Sequence, residues 1–464
     1  MERHARAGCG LQGEQTVKVL FIEESADGLL DLAIRAKDAG HDVRYHVSSF
    51  DNYKHPTGRG LVERVADWRA APNWPDLVVV GGNGKWLREL DAWRIHRGVP
   101  MIGGNYAASQ LELDRLAGMA AFKKARIEVP PFRQCASLDD AEAYVADRGE
   151  GFAIKPCGSV ADKALSFVAK NKDPEKAAAE AIWRLRQWKR AGKRFPAGLM
   201  VQERIKGVEF AVGCWIGPNG FVDGVEENVE TKKLFPGDLG PNTGEMGTIM
   251  RLVRKSKLFD KVLRPMEDML VGLGFVGNVD INTIIAEDGT PYPLEWTVRC
   301  GWPSTNIELA LHSGDFVEYL AGVAAGKPPS TRILDQIAVG VVLAIPPFPH
   351  GHEKTEEVVN VPVWGVVPSI EDNLHFADVM MGNAPSVVEG RIQYGPQLAT
   401  SGAYVLVGTG TGSTVVEARN EAVRVLNRLT VAQPSFYRND IGARLRTGLT
   451  ALHANGYALG ARYA

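Results

Sequence analysis

The sequence predicts an α/β protein with an N-terminal doubly wound parallel sheet, a middle core that mixes strands and helices, and a C-terminal mainly β domain. Three observations predict this. A chain of 464 residues is too long for one hydrophobic core and implies roughly three domains of ~100–200 residues. Residues 17–103 alternate short apolar, β-branched runs with helical periods, the pattern of a parallel sheet covered on both faces. From residue 331 to 442 strand-like segments dominate.

The elements follow in order. Met1 to Gln15 is polar and lacks an apolar h-region, so residues 1–16 are expected to be a disordered lead-in rather than a signal peptide. Val17 to Ile22 is the first strand run, and the helical period of Leu29 to Ala39 stops at Gly40. His41 to Val47, Asp76 to Gly82 and Val99 to Gly104 are the next strand candidates, which closes an N-terminal domain at 17–103. Ligands of such sheets bind outside the carboxyl ends of the strands, here Glu23 to Asp27 and Gly81 to Lys85.

The second domain is set at 104–328. It opens with a helix over 107–125, whose connection ends at Val129-Pro130-Pro131. Strand patterns over Phe152 to Lys170 and Gly198 to Ile216 flank the Ala-rich, basic helix Pro174 to Lys193, a solvated helix surface. Strands recur through Ile285 and from Pro291 to Arg299, with Asp288-Gly289 as the hairpin turn. A helix at Asn306 to Ala325 ends the domain, and Pro328-Pro329-Ser330 reads as a linker. The third domain spans 329–442 and contains a helix at Val415 to Leu429; 443–464 is left as a tail. No internal repeat is visible.

Composition sets limits. Hydrophobic residues at 45% and charged residues at 23% are ordinary for a soluble globular protein. A formal charge of -2 gives no basis for bulk nucleic-acid binding. Cys9, Cys135, Cys157, Cys214 and Cys300 have no metal-ligand spacing and read as reduced thiols of a cytoplasmic protein. No apolar run approaches the ~20 residues that span a bilayer, so no membrane partner is expected.

Two stretches carry the chemistry. Gly240-Pro241-Asn242-Thr243-Gly244-Glu245-Met246-Gly247 is expected to be a turn-rich loop with exposed backbone N–H groups. Leu294-Glu295-Trp296-Thr297-Val298-Arg299 reads as a strand, whose alternation places Glu295, Thr297 and Arg299 on one face. Upstream, Lys155 ends the apolar run Phe152-Ala153-Ile154. Joining a carboxylate to an amine at the expense of ATP needs cations on the phosphates, hard oxygen ligands for a divalent metal, and a pocket that excludes water.

In this order and spacing the stretches resemble the glycinamide ribonucleotide synthetase (phosphoribosylamine–glycine ligase) family of the ATP-grasp superfamily, and the resemblance runs through most of the chain. It implies an ATP-grasp core in the middle domain, with a mobile lid subdomain at about 127–196. It implies ATP and Mg2+ (or Mn2+) as cofactors and an acyl phosphate on the way to the amide. Lys155 falls on the family's phosphate-binding lysine, and Lys163 takes the place of the lysine in the loop Gly158 to Ser166, where Asp162 adds a negative charge. Val201 to Glu209 looks like the adenine hinge, with Gln202, Glu203 and Ile205 at the adenine edge and Glu209 on the ribose hydroxyls. Arg115, Lys232 and Asn242 are implied at the nucleotide, and Gly244 at the substrate.

For the metal the resemblance implies Glu295, with Thr297 where the family has asparagine. Asp280 occupies a position used by other ATP-grasp ligases such as D-alanine–D-alanine ligase, so Asp280 and Glu295 are expected to share the metals. Arg299, counted as catalytic with Lys155, would neutralise the acyl phosphate or hold the substrate carboxylate.

The substrate edges depart from the family. Glu23-Glu24-Ser25-Ala26-Asp27-Gly28 replaces a glycine-rich turn followed by Arg-Glu-His, Gly81 to Lys85 replaces Gly-Pro-Glu, and Cys300-Gly301-Trp302-Pro303-Ser304 replaces Phe-Gly-Asp-Pro-Glu. Glu23, Glu24 and Asp27 are expected to face the crevice, repel a phosphate and favour a cationic or neutral amine. The expected function is therefore an ATP-dependent carboxylate–amine ligase, with glycine or another amino acid as the acid and an acceptor other than phosphoribosylamine. A true phosphoribosylamine–glycine ligase of purine biosynthesis and a nucleotide-binding protein without turnover are the alternatives. The expected partners are small-molecule amino acids and amines, and the expected state is a monomer or homodimer.

Overall fold

A computed structural model describes residues 16–24, 28–48, 56–158, 165–327, 332–349 and 357–464. The N-terminal sheet has five parallel strands in the order Glu63–Arg64, Asp42–Val47, Lys18–Glu23, Leu77–Val80, Met101–Ile102. All four residues of Leu77–Val80 and five of six in Lys18–Glu23 are buried, because helices cover both faces. The helix Leu87–Arg97 ends at Gly98, whose φ of 64° turns the chain back so that its N–H donates to the Arg94 carbonyl.

The expected helix over 107–125 is two helices, Tyr106–Leu113 and Arg115–Lys124. Asp114 is extended and accepts from the Leu116 N–H, so a residue that prefers to cap breaks one helix and starts another. The break puts Arg115 in the first turn of the second helix.

A four-stranded antiparallel sheet follows in the order Phe132–Cys135, Leu199–Glu203, Phe152–Pro156, Phe167–Val168. Helices Leu138–Arg148 and Pro174–Arg190 pack on it around their own core of Val145, Phe152, Ile154, Leu185, Leu199 and Val201. The Leu199–Glu203 strand, beyond the lid range of 127–196, lies inside this sheet.

The largest sheet is antiparallel, in the order Pro291–Thr297, Gly277–Ala286, Gly207–Gly217, Val225–Phe235, Leu239–Val253, Ile337–Ala344, Tyr404–Gly412, Leu374–Phe376. Strands beyond residue 331 thus continue the sheet of the middle segment, through pairs such as Gly247↔Val341. The stretch Gly240 to Gly247, expected as a loop, is part of the Leu239–Val253 strand and pairs with Val225–Phe235 across two register shifts. The helix Val415–Leu426 lies on this sheet over Gly408, Gly410 and Gly412; a Cβ at Gly410 would sit 2.3 Å from the Ala418 carbonyl oxygen.

Two further expectations change. The single helix over Asn306 to Ala325 is Ser304–Leu309, a short strand His312–Ser313, and Phe316–Ala324. Gly314 has a φ of 113°, and Asp315 caps the last helix by accepting from Val317 and Glu318 N–H groups. The expected tail holds the helix Leu445–Ala454, which buries Leu445, Leu449 and Leu452 in the main core. The expected lead-in and the linker Pro328-Pro329-Ser330 lie outside the described residues, save Thr16.

Candidate active site

The site grows from polar alternation along three strands of the large sheet. In Val225–Phe235 every second residue from Glu226 is polar: Glu226, Asn228, Glu230, Lys232. Register places Asp280 opposite Thr297 and Asn282 opposite Glu295, so these four share one face. Lys232 Nζ lies 2.6 Å from Glu295 Oε1 and 2.9 Å from Glu230 Oε2, and Arg115 reaches Glu295 Oε2 at 3.9 Å. Asn282 Nδ2 donates to Glu230 Oε2 at 2.9 Å.

The charges shift one another. The Lys232 ammonium holds the Glu295 carboxyl far below the usual carboxylate range, against the opposing effect of burial. Burial disfavours the Lys232 ammonium, but the Glu230 and Glu295 carboxylates outweigh it and hold Lys232 well above its ordinary value. Burial first, and then the Glu230 carboxylate, pushes Asp280 up to about 8.

Lys155 comes from the smaller sheet. Its Nζ donates to Gln202 Oε1 on the adjacent strand at 3.0 Å. Burial, followed by the Arg115 guanidinium, brings the Lys155 ammonium down to about 8; Glu295 opposes this and Lys232 adds to it. Lys155, Arg115, Lys232 and Glu295 are therefore one electrostatic group, assembled from two sheets and a helix N-terminus. Gln202 is buried and its Nε2 has no partner, nor has the buried Nε of Arg115.

The remaining expected residues distribute around this group. Glu203 pairs loosely with Arg148 at 3.5 Å, and Ile205 lies in the turn between Leu199–Glu203 and Gly207–Gly217. Glu209 meets Arg444 at 3.0 Å, and Arg444 also donates to the Glu230 carbonyl at 2.7 Å. Asn242 is paired with Lys233 in the strand register, and Gly244 is exposed. Lys163, Asp162 and Asp27 lie outside the described residues.

Arg299 stands past the end of Pro291–Thr297, where its Nε donates to Glu112 Oε1 at 3.1 Å. Glu112 Oε2 also accepts from Val298 N–H at 3.0 Å and from Asn83 Nδ2 at 2.9 Å. This chain of contacts joins the loop after Leu77–Val80 to the segment after Thr297, so two altered substrate edges meet. Glu24 borders the same loop and accepts from the Lys85 N–H at 3.2 Å. A Cβ on Gly28 would lie 3.5 Å from the Trp302 ring.

Glu23 corrects an expectation. It is 3% exposed, with Oε1 accepting from the Leu29 N–H at 2.8 Å and Oε2 from the Tyr45 hydroxyl at 2.5 Å. Its carboxylate is buried and ties the first strand to the next helix and strand, rather than standing open to a substrate. Sequence reading also missed Glu226, Asn228, Glu230, Asn282, Glu112 and Arg444. For the strand residues the available signal was polarity at Glu226, Asn228, Glu230 and Lys232, blurred by the polar Glu227, Thr231 and Lys233 between them.

No group of three or more His, Cys, Asp or Glu side chains among the described residues is arranged to hold a metal ion. Mg2+ bound through nucleotide phosphates uses only one or two carboxylates, and Asp280 and Glu295 on adjacent strands supply that number.

Comparison with known proteins gives a consistent answer. Residues 119–305 match the family described as phosphoribosylglycinamide synthetase, ATP-grasp (A) domain. A phosphoribosylamine–glycine ligase of Vibrio cholerae is 28% identical over 393 residues, 80% of this chain and 83% of its own length. The enzyme of that name from Rhizobium meliloti is 27% identical over 386 residues, 80% of this chain and 82% of its own. The crystal structure of phosphoribosylamine–glycine ligase from Thermotoga maritima superposes with a TM-score of 0.64 at 20% identity, covering 92% of this chain and 100% of that one. A biotin carboxylase of Campylobacter jejuni shares the fold with a TM-score of 0.57 at 12% identity, over 95% of this chain and 97% of its own. This chain is an ATP-grasp ligase whose residues 119–305 match the phosphoribosylglycinamide synthetase ATP-grasp domain, and it is similar to phosphoribosylamine–glycine ligases over 80% of its length.

Proposed function

We propose that the protein joins the carboxylate of glycine or another amino acid to an amine other than phosphoribosylamine, using ATP and Mg2+ (or Mn2+). The observation that carries the reading is the meeting of Lys155, Arg115 and Lys232 around Glu295. Three cations around one metal-ligand type of carboxylate suit a polyphosphate bridged by a divalent ion. The residues present fit these groups. Gln202 Nε2 and Arg115 Nε are buried donors awaiting acceptors. Burial, and then the Glu230 carboxylate, lifts Asp280 to about 8, and a divalent cation would oppose both effects. Asp280 and Glu295 would hold the metal, with Thr297 opposite Asp280 as a weaker neutral oxygen.

When bound, ATP supplies the phosphoryl group that activates the acid, and Mg2+ neutralises its oxygens. The chain's own residues do the rest. Lys155, Lys232 and Arg115 would balance negative charge, Glu209 would hold the ribose hydroxyls, and the turn at Ile205 would meet the adenine edge. Arg299 is paired with Glu112 at the edge where it stands. The buried thiols Cys135, Cys157, Cys214 and Cys300 are unpaired, as suits a reducing cytoplasm.

The names of relatives that cover 80% of this chain favour a second reading, ligation of phosphoribosylamine to glycine. Incubating the protein with ATP, Mg2+, a panel of amino acids and a panel of amines including phosphoribosylamine decides. Phosphate release and product mass should point to an unphosphorylated amine. Glycinamide ribonucleotide formed at micromolar phosphoribosylamine would overturn the proposed acceptor.

A further inference from the structure

Val379–Val388 and Arg391–Thr400 form a two-stranded antiparallel sheet of their own. The turn between them is Glu389-Gly390, whose φ values of 50° and 75° suit a two-residue hairpin. The base of this ribbon is tied to the body. Gly58 N–H donates to the Val379 carbonyl and Met381 N–H to the Arg59 carbonyl, both at 2.8 Å. One face is also engaged, with Ala384 buried and Gln397 Oε1 accepting from Trp364 Nε1 at 2.9 Å.

The other face is bare. The register pairs Asn383 with Pro396, Pro385 with Tyr394 and Val387 with Ile392, and strand alternation puts all six on one side. All six are exposed, Val387 to 74%, Ile392 to 71% and Tyr394 to 69%. None of the six is charged. The opposite side of the same stretch carries Ser386, Val388, Arg391 and Gln393, so the two sides differ in polarity.

The edges of the ribbon are guarded while this face is not. Proline fits a ladder only where its nitrogen points outward, so Pro385 and Pro396 each remove a donor from an outer edge. That disfavours growth by strand pairing and leaves the face itself as the means of association.

Side chains of this size and exposure offer on the order of 500 Å2, the upper end of what a monomer leaves open. Two copies packed face to face bury about 1,000 Å2, the threshold for a specific interface. An uncharged face meets its own copy without repulsion and asks no complementary charge of a partner, in keeping with the apolar interfaces of homodimers. A two-fold axis lets the one patch serve both sides.

We propose that two copies of the chain associate through this face, with the two ribbons stacked about 10 Å apart as in a β-sandwich. The proposal does not depend on which acid and amine the ligase joins.

Sedimentation velocity of the full chain from about 1 to 200 µM tests it. The wild type should pass from monomer to dimer within that range, as suits an interface near the lower size limit. Val387→Glu and Ile392→Glu each place a charge in the interface and should raise the midpoint about tenfold or more. Both positions are exposed in the monomer, so Tm should not change. Gln393→Glu, on the opposite side, should behave as the wild type. Amide exchange over residues 383–396 should slow as the concentration rises. A wild type that stays monomeric to 200 µM overturns the proposal, whether or not the ribbon then binds lipid vesicles or another protein. A dimer that survives both Val387→Glu and Ile392→Glu, or that Gln393→Glu weakens equally, also overturns it.

Discussion

Lys232 and Glu295 stand 2.6 Å apart on strands that are not neighbours, with Gly207–Gly217 and Gly277–Ala286 between their parent strands in the sheet. The pair therefore spans the polar face rather than stitching two adjacent strands, and Arg115 closes on Glu295 from a helix. This geometry makes Glu295 the point where three elements exchange charge.

Glu295→Ala should lower kcat by about a hundredfold or more, the usual scale for removing a group that stabilises transition-state charge. Lys232 keeps Glu230 as a partner at 2.9 Å, so the fold should survive. Steady-state kinetics and circular dichroism check both halves. Near-normal turnover would take Glu295 out of the reaction.

Lys155 gives a pH prediction. Its ammonium is held near 8, below the ordinary 10.5, by burial and by Arg115. A charged Lys155 favours phosphate, so apparent ATP affinity should weaken as pH rises through 8. Lys155→Arg, always charged, should flatten that dependence, and Lys155→Ala should weaken ATP throughout. For stability the sign is opposite. Between about 8 and 10.5 the unfolded chain binds the proton that the folded one has released, so this group's contribution to stability rises with pH. Urea unfolding of Lys155→Met should lack that slope, and an unchanged slope would place the titration elsewhere.

Glu23 separates a structural acid from a substrate-binding one. Both of its oxygens accept bonds, from the Leu29 N–H and the Tyr45 hydroxyl. Truncating it leaves two buried donors unsatisfied, at about 1–3 kcal/mol each. Glu23→Ala should lower Tm while shifting the KM of the accepted amine by no more than about twofold. A large rise in amine KM at unchanged Tm would return Glu23 to the crevice.

These cases show what the sequence makes legible. The parallel N-terminal sheet was readable because strands buried on both faces are continuous apolar runs. Lys155, Lys232 and Glu295 were found through motif order, and the structure brings them together. The orientation of Glu23 was not readable, since the same Glu-Glu pair serves a loop or a buried tie, and only Tyr45 decides. The sheet's extension beyond residue 331 was hidden because strand pairing such as Gly247↔Val341 leaves no local mark. Asp114 was misread because helical periodicity continues through it while its side chain caps.

Arg444 is the clearest long-range case, lying 235 residues from the carboxylate it meets, and it yields the last prediction. It starts the C-terminal helix, pairs with Glu209 at 3.0 Å and holds the Glu230 carbonyl at 2.7 Å. The C-terminal segment thereby steadies the residue expected to bind ribose. The pair is half exposed, so its direct worth is about 0.2–1 kcal/mol, or roughly 1.4-fold to fivefold in affinity. Arg444→Ala should weaken ATP and adenosine alike by that factor, because the ribose is common to both, while phosphate contacts stay intact. Glu209→Ala should weaken both ligands more, and adding Arg444→Ala to it should cost almost nothing further, the signature of two residues acting through one contact. Loss of ATP affinity with adenosine unaffected would instead assign Arg444 to the phosphates, by way of Glu230 and Lys232.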